Sequence, residues 1–159
     1  MVNFVHRLVG CTLALAASSF TASAQQQHSY VAEANREYAA IFSHPDNPCA
    51  TKGTTSSYLD CIGKEVTFTE LHLANFLIAI RGIASHDDAG GSGKTNERSL
   101  VNNANAAWQQ YRKSICDLTE AGMAGGSGQS SAGQDCIYSM DRKYVQQLAD
   151  ATYLHTLAE

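Results

Sequence analysis

Apolar residues recur at helical steps along four stretches of the chain. In the first, Val31, Ala34, Tyr38 and Ile41 fall three and four residues apart before the helix-stopping run Ser43-His44-Pro45-Asp46-Asn47-Pro48, which predicts a helix from about Tyr30 to Phe42. In the second, Leu59, Ile62, Val66, Leu73, Phe76, Ile80 and Ile83 share one stripe, with Thr69 filling the missing turn. That stripe begins after Thr54-Thr55-Ser56-Ser57, a cluster able to cap a helix, and fades at Ser85-His86-Asp87-Asp88. The β-branched residues of Val66-Thr67-Phe68-Thr69 favour a strand locally, but the stripe stays in phase on both sides, so one long helix is expected. Residues 86–96 are rich in Gly and Asp without apolar pattern and read as a surface loop.

The third stretch, Val101, Ala104, Trp108, Tyr111, Ile115 and Leu118, gives the clearest helix, ending at Gly122. Five glycines and three serines crowd residues 122–133 as a loop. A fourth helix places Ile137, Met140, Tyr144, Leu148 and Ala151 on its buried face. Four amphipathic helices with short or Gly-rich connections predict an all-α fold, a four-helix bundle.

The N-terminus does not belong to that pattern. Arg7 precedes an apolar run from Leu8 to Ala17, and Ala22-Ser23-Ala24 precedes a polar stretch, which is the layout of a secretory signal peptide cleaved after Ala24. Leu8-Val9-Gly10-Cys11 spells a lipoprotein box only superficially, because most of the apolar run, Thr12 to Ala17, follows the cysteine. The expected organisation is a signal peptide over residues 1–24 and a single helical domain over 25–159, with no membrane anchor after cleavage and a periplasmic or secreted location. Removal of the signal takes Lys+Arg from 11 to 10 against 15 Asp+Glu, a mature net charge of −5. That balance argues against nucleic acid as a partner and favours encounter with a basic protein.

Residue patterns for catalysis are missing. Gly90-Gly91-Ser92-Gly93-Lys94-Thr95 ends like a phosphate-binding loop, but the glycine required five residues before Gly93 is Asp88 and the preceding segment is helical, so a linker is expected. His86-Asp87-Asp88 with His72 matches no metal-ligand spacing, and no metal or other cofactor is expected. No Gly-x-Ser-x-Gly elbow occurs. Trp108 is expected in the core beside Tyr111 and Ile115, and Arg112 in a pair with a carboxylate on a neighbouring helix.

Cys11 leaves with the signal, and the four remaining cysteines, Cys49, Cys61, Cys116 and Cys136, suit an oxidising compartment. Four cysteines allow three connectivities, and spacing alone does not choose among them. Local pairing, Cys49 with Cys61 and Cys116 with Cys136, is the arrangement expected from their places at helix ends, and each closure would stabilise by roughly 3 kcal/mol.

Leu100, Trp108, Tyr111, Arg112 and Cys116, then Gly125-Gly126-Ser127, then Cys136, Met140 and Leu148 resemble the pattern of small exported bacterial proteins of the LprI lysozyme-inhibitor type. The likeness runs from Cys49 to Leu148, whereas Leu71-His72-Leu73-Ala74-Asn75-Phe76-Leu77 departs from the Leu-Asn-x-x-Tyr pattern of that family. The resemblance implies a disulfide-stapled envelope protein that binds and inhibits lysozyme without catalysis. Gly125, Gly126 and Ser127 are then the candidate contact loop, with Asp117 and Glu120 nearby on the preceding helix end. The competing expectation is a structural or protein-interaction factor of the cell envelope.

Overall fold

The computed structural model describes residues 25–90, 96–126 and 128–154. The proposed signal peptide, residues 91–95 of the phosphate-loop look-alike and Ser127 fall outside them, as do the side chains of His86, Asp87 and Asp88. Helix α1 covers residues 25–42, α2 Thr55–Gly90, α3 Glu97–Gly122 and α4 Gln129–Ala151. The chain is thus all-α, as the periodicity predicts, with no strand among the described residues. Val66 to Thr69 are helical, and α2 runs on to Gly90, five residues into the stretch expected as loop. Continuity of the i to i−4 hydrogen bonds outweighs the local preferences of those residues.

Helices α2 to α4 start where a side chain or a turn supplies partners for the first N–H groups. Thr54 Oγ1 accepts from Ser57 N at 3.1 Å, opening α2. Asn96 Oδ1 accepts from Ser99 N at 2.9 Å, opening α3. Before α4 the chain turns instead through Gly125, whose φ of 84° is the left-handed region that suits glycine.

The four helices pack around α4. Ile62, Thr69, Leu73, Phe76, Ile80 and Ile83 of α2 are buried, as the stripe predicts, and the last four share one core cluster with Ile41 and Ala34 of α1 and Val145 and Leu148 of α4. By length and composition Thr55–Ser85 could also cross a membrane, with mean hydropathy 1.2, a property it shares with buried core helices. Gly82 lets α1 lie close, because a Cβ there would sit 2.5 Å from the Tyr30 ring. A smaller cluster of Cys49, Ile62 and Tyr138 fills the opposite end.

The buried face of α4 departs from the apolar stripe read from sequence. Ala151 is exposed and Ile137 and Met140 are half-buried, whereas Tyr138, Asp141, Arg142, Val145 and Ala149 are buried. Two adjacent charges therefore point inward, which periodicity in apolar residues does not register. Arg142 reaches across to α1 and the connection after it: Nη1 donates to the carbonyls of Ile41 at 2.6 Å and His44 at 2.9 Å, and Nη2 to Asp46 Oδ1 at 2.9 Å. Its guanidinium also lies over the rings of Phe42 and Tyr138, 4.7 and 5.4 Å from their centroids.

Both disulfides have the local pairing, Cys49–Cys61 and Cys116–Cys136. One closes the α1–α2 connection onto α2; the other clamps α3 to α4 across the Gly-rich loop. Replacing Cys116 and Cys136 together by Ser is expected to lower unfolding free energy by about 3 kcal/mol in denaturant titrations, with the helical circular dichroism retained. Arg142→Met should cost about 3 kcal/mol or more in the same titration, because it leaves two main-chain carbonyls without a buried donor.

Candidate functional site

Trp108, Arg112 and Cys116 are spaced by four residues, so they form one row along α3. Each meets a residue of α4. Trp108 stacks on Tyr144 with ring centroids 4.7 Å apart and planes within 12°, Arg112 Nη1 donates to Asp141 Oδ2 at 2.7 Å, and Cys116 bonds Cys136. Arg112 also reaches α2, donating to Glu70 Oε1 at 3.0 Å. The expected pairing of Arg112 with a carboxylate on another helix is therefore met twice.

Asp141 is completely buried. Burial raises its pKa to about 6, against the pull of the Arg112 charge and hydrogen bond, and the Glu70 charge adds to the rise. Trp108 Nε1 lies near enough to favour the charged carboxylate, yet neither it nor Asp141 Oδ1 has a hydrogen bond of good geometry. Trp108 is thus a half-buried anchor packed against the core, stacked on Tyr144.

Tyr111 does not join the core. It is 57% exposed, Leu118 is 68% exposed, and Ala104 also faces out, contrary to the stripe read from sequence. The reason is rotational. Arg112 is drawn inward to Asp141 and Cys116 is tied to Cys136, so the inward row is Val101, Trp108, Arg112 and Cys116, and Tyr111 and Leu118 are carried round to the side.

The end of the bundle that holds the disulfides presents two braced connections, described over residues 43–54 and 123–126. Beside them Tyr58 in the first turn of α2 links that helix to α4 by donating its hydroxyl to Asp135 Oδ1 at 2.7 Å, and burial together with that carboxylate pushes the Tyr58 pKa up to about 12. A polar cleft of about 300 Å³ lies between them, lined by Lys52, Thr54, Tyr58, Ser131 and Asp135. Gly125 and Gly126 of the candidate contact loop are exposed at this end, beside Met123, which is 51% exposed and gave no signal in the sequence.

The two acids assigned to that loop part ways. Asp117 is exposed and pairs with Lys113 at 2.6 Å on the flank of α3. Glu120 turns toward α4, where its Oε2 lies 3.0 Å from the position a Cβ would take at Gly133. Asp117 thus stays available to a partner, while Glu120 packs the helix pair.

His72, weighed above as a ligand, holds α1 instead. Its Nδ1 is 2.6 Å from Glu37 Oε2, and Phe68 lies between it and His44, which pairs with Glu65. Burial raises the Glu37 pKa, but hydrogen bonds from His72 and Arg36 outweigh it and the value falls below the ordinary range. Among the described residues no three His, Cys, Asp or Glu side chains are grouped to hold a metal ion.

Fold and site define a small helical protein in which two disulfides fix two connections at one end of the bundle. Residues 46–148 match the family described as "Lysozyme inhibitor LprI", and the chain belongs to that family. No curated protein and no solved structure matches it.

Asp141 gives the fold a pH signature. Its folded pKa, about 6, lies above the ordinary 3.8, so the native state keeps a proton that the unfolded chain releases between pH 4 and 6. Its contribution to stability is thus full below pH 4 and falls as pH rises through that window, by up to about 3 kcal/mol. Glu37 acts in the opposite sense, with stability present above its unfolded value and lost as pH falls. Asp141→Asn should remove the first slope and leave the second, read from denaturant midpoints between pH 3.5 and 7.5. Arg112→Met should cost about 3 kcal/mol or more at pH 7 and much less at pH 4.5, where Asp141 carries a proton.

Proposed function

We propose that the mature protein is exported to the periplasm or beyond and inhibits lysozyme by binding it, without chemistry of its own. The observation that carries the reading is the family match over residues 46–148, which spans both disulfides and the connections they brace. The layout of residues 1–24 and two disulfides support export to an oxidising compartment.

The contact surface we assign is the turn after α3. Residues 123–126, Met-Ala-Gly-Gly, carry no charge and are exposed. An uncharged tip can approach the carboxylates that line a glycosidase cleft without repulsion, and the Cys116–Cys136 bond reduces the entropy lost when the loop is held there. The acidic chain, with Asp117 exposed beside the loop, favours encounter with a basic enzyme. Exposed Leu100, Tyr111 and Leu118 on α3 favour a second reading, a protein-interaction factor of the envelope.

The test is the clearing of a bacterial cell-wall suspension by c-type and g-type lysozymes in the presence of the purified mature protein. Inhibition at micromolar protein is expected with at least one class, and inhibition of neither overturns the reading. Met123→Asp should weaken inhibition about tenfold or more by placing a carboxylate at the tip, with unfolding midpoint unchanged.

A further inference from the structure

The exposed apolar side chains of α3 are not scattered. Leu100, Ala104, Ala107, Tyr111, Ser114 and Leu118 follow one another at steps of 4, 3, 4, 3 and 4, and all six are exposed. That is the 3.5-residue repeat of a coiled-coil seam, running beside the inward row of Trp108, Arg112 and Cys116. It spans 19 residues of helix, ~27 Å from end to end. None of its six members is charged, in a chain with 15 acids against 11 basic residues.

We propose that this seam pairs with its own copy, α3 against α3 in antiparallel orientation about a two-fold axis between Ala107 and Tyr111. The side-chain sizes match in that register. Leu118 meets Leu100 of the partner at each end, Tyr111 meets Ala107, and Ser114 meets Ala104, so each bulky side chain away from the ends faces a small one. The same register places Gln110 opposite itself and Asp117 opposite Asn103, so no like charges face each other along the flank.

The seam also ends in a hole of suitable size. Leu100 and Ala104 form one wall of a cleft of about 580 Å³, whose floor is Ile83, Val101 and Leu148. In the antiparallel pair Leu118 of the second copy stands over this cleft as a knob. A basic partner such as a lysozyme gains little from an uncharged strip, whereas two acidic copies can meet along it without repulsion.

A contact one helix wide and ~27 Å long covers on the order of 1,000 Å² over the two copies, the lower limit for a specific interface. The dimer is therefore weak and reversible, with Kd in the range of about 10 to 100 μM. It does not depend on lysozyme inhibition.

Sedimentation equilibrium of the mature protein from ~5 to ~500 μM tests it. The mass is expected to rise from one chain toward two across that range. Leu118→Glu should raise Kd at least tenfold while circular dichroism and the unfolding midpoint stay unchanged, since Leu118 is exposed. Adding Leu100→Lys to Leu118→Glu should restore the dimer, because each Lys then faces a Glu of the other copy. A single-chain mass at every concentration overturns the proposal. So does a dimer indifferent to Leu118→Glu, or a folded double variant that remains monomeric. A monomer whose lysozyme inhibition is lost with Leu118→Glu overturns it too, and makes the seam a face for the enzyme.

Discussion

Two adjacent charges on α4, Asp141 and Arg142, organise the packing of everything else. They lie on neighbouring sides of one helix and are both buried, so each has to find its partners in a different layer of the bundle. Asp141 draws in Arg112 of α3, which reaches on to Glu70 of α2; Arg142 donates to the carbonyls of Ile41 at the end of α1 and of His44 in the connection after it. A buried ion pair adds little net stability over a well-packed apolar contact, but an unpartnered charge in the same place is costly. That asymmetry excludes rotations of α3 and α1 that apolar packing alone would tolerate.

The motif that carries the family likeness takes a structural meaning from this. Trp108, Arg112 and Cys116 meet Tyr144, Asp141 and Cys136, an aromatic stack, an ion pair and a covalent bond in succession along an antiparallel helix pair. These contacts hold the scaffold, which presents the braced connections at one end and the outward side of α3. Tyr111 belongs to the same run of sequence but to that outer surface, which separates its role from that of its neighbours.

Much of the fold was legible because it rests on local physics. The stripe on α2 was read almost residue by residue, since a helix buried along one face must be apolar there, and of three open connectivities the disulfides take the local one expected from cysteines near helix ends. The reading of α3 and α4 was less accurate at Tyr111, Leu118 and Ala151, which are exposed, and at Asp141 and Arg142, which are not. Apolar periodicity assigns a buried face by hydrophobicity, and here part of that face is built from charge. On the proposed contact loop, Gly125 and Gly126 were legible as turn residues, whereas the exposure of Met123 and the inward turn of Glu120 depend on how α3 meets α4.

The sequence by itself determined that this is an all-α chain of four amphipathic segments, where the helices break to within about five residues, and that its paired cysteines lie near helix ends, because spacing, capping residues and glycine-rich turns act over a few residues. Only the tertiary structure decided which way α3 and α4 face. A helix presents its residues every 100°, and with apolar side chains on two sides of α3 the sequence leaves both orientations open. Arg112 and Asp141 select between them, since a buried carboxylate without its guanidinium costs more than exposing a tyrosine and a leucine.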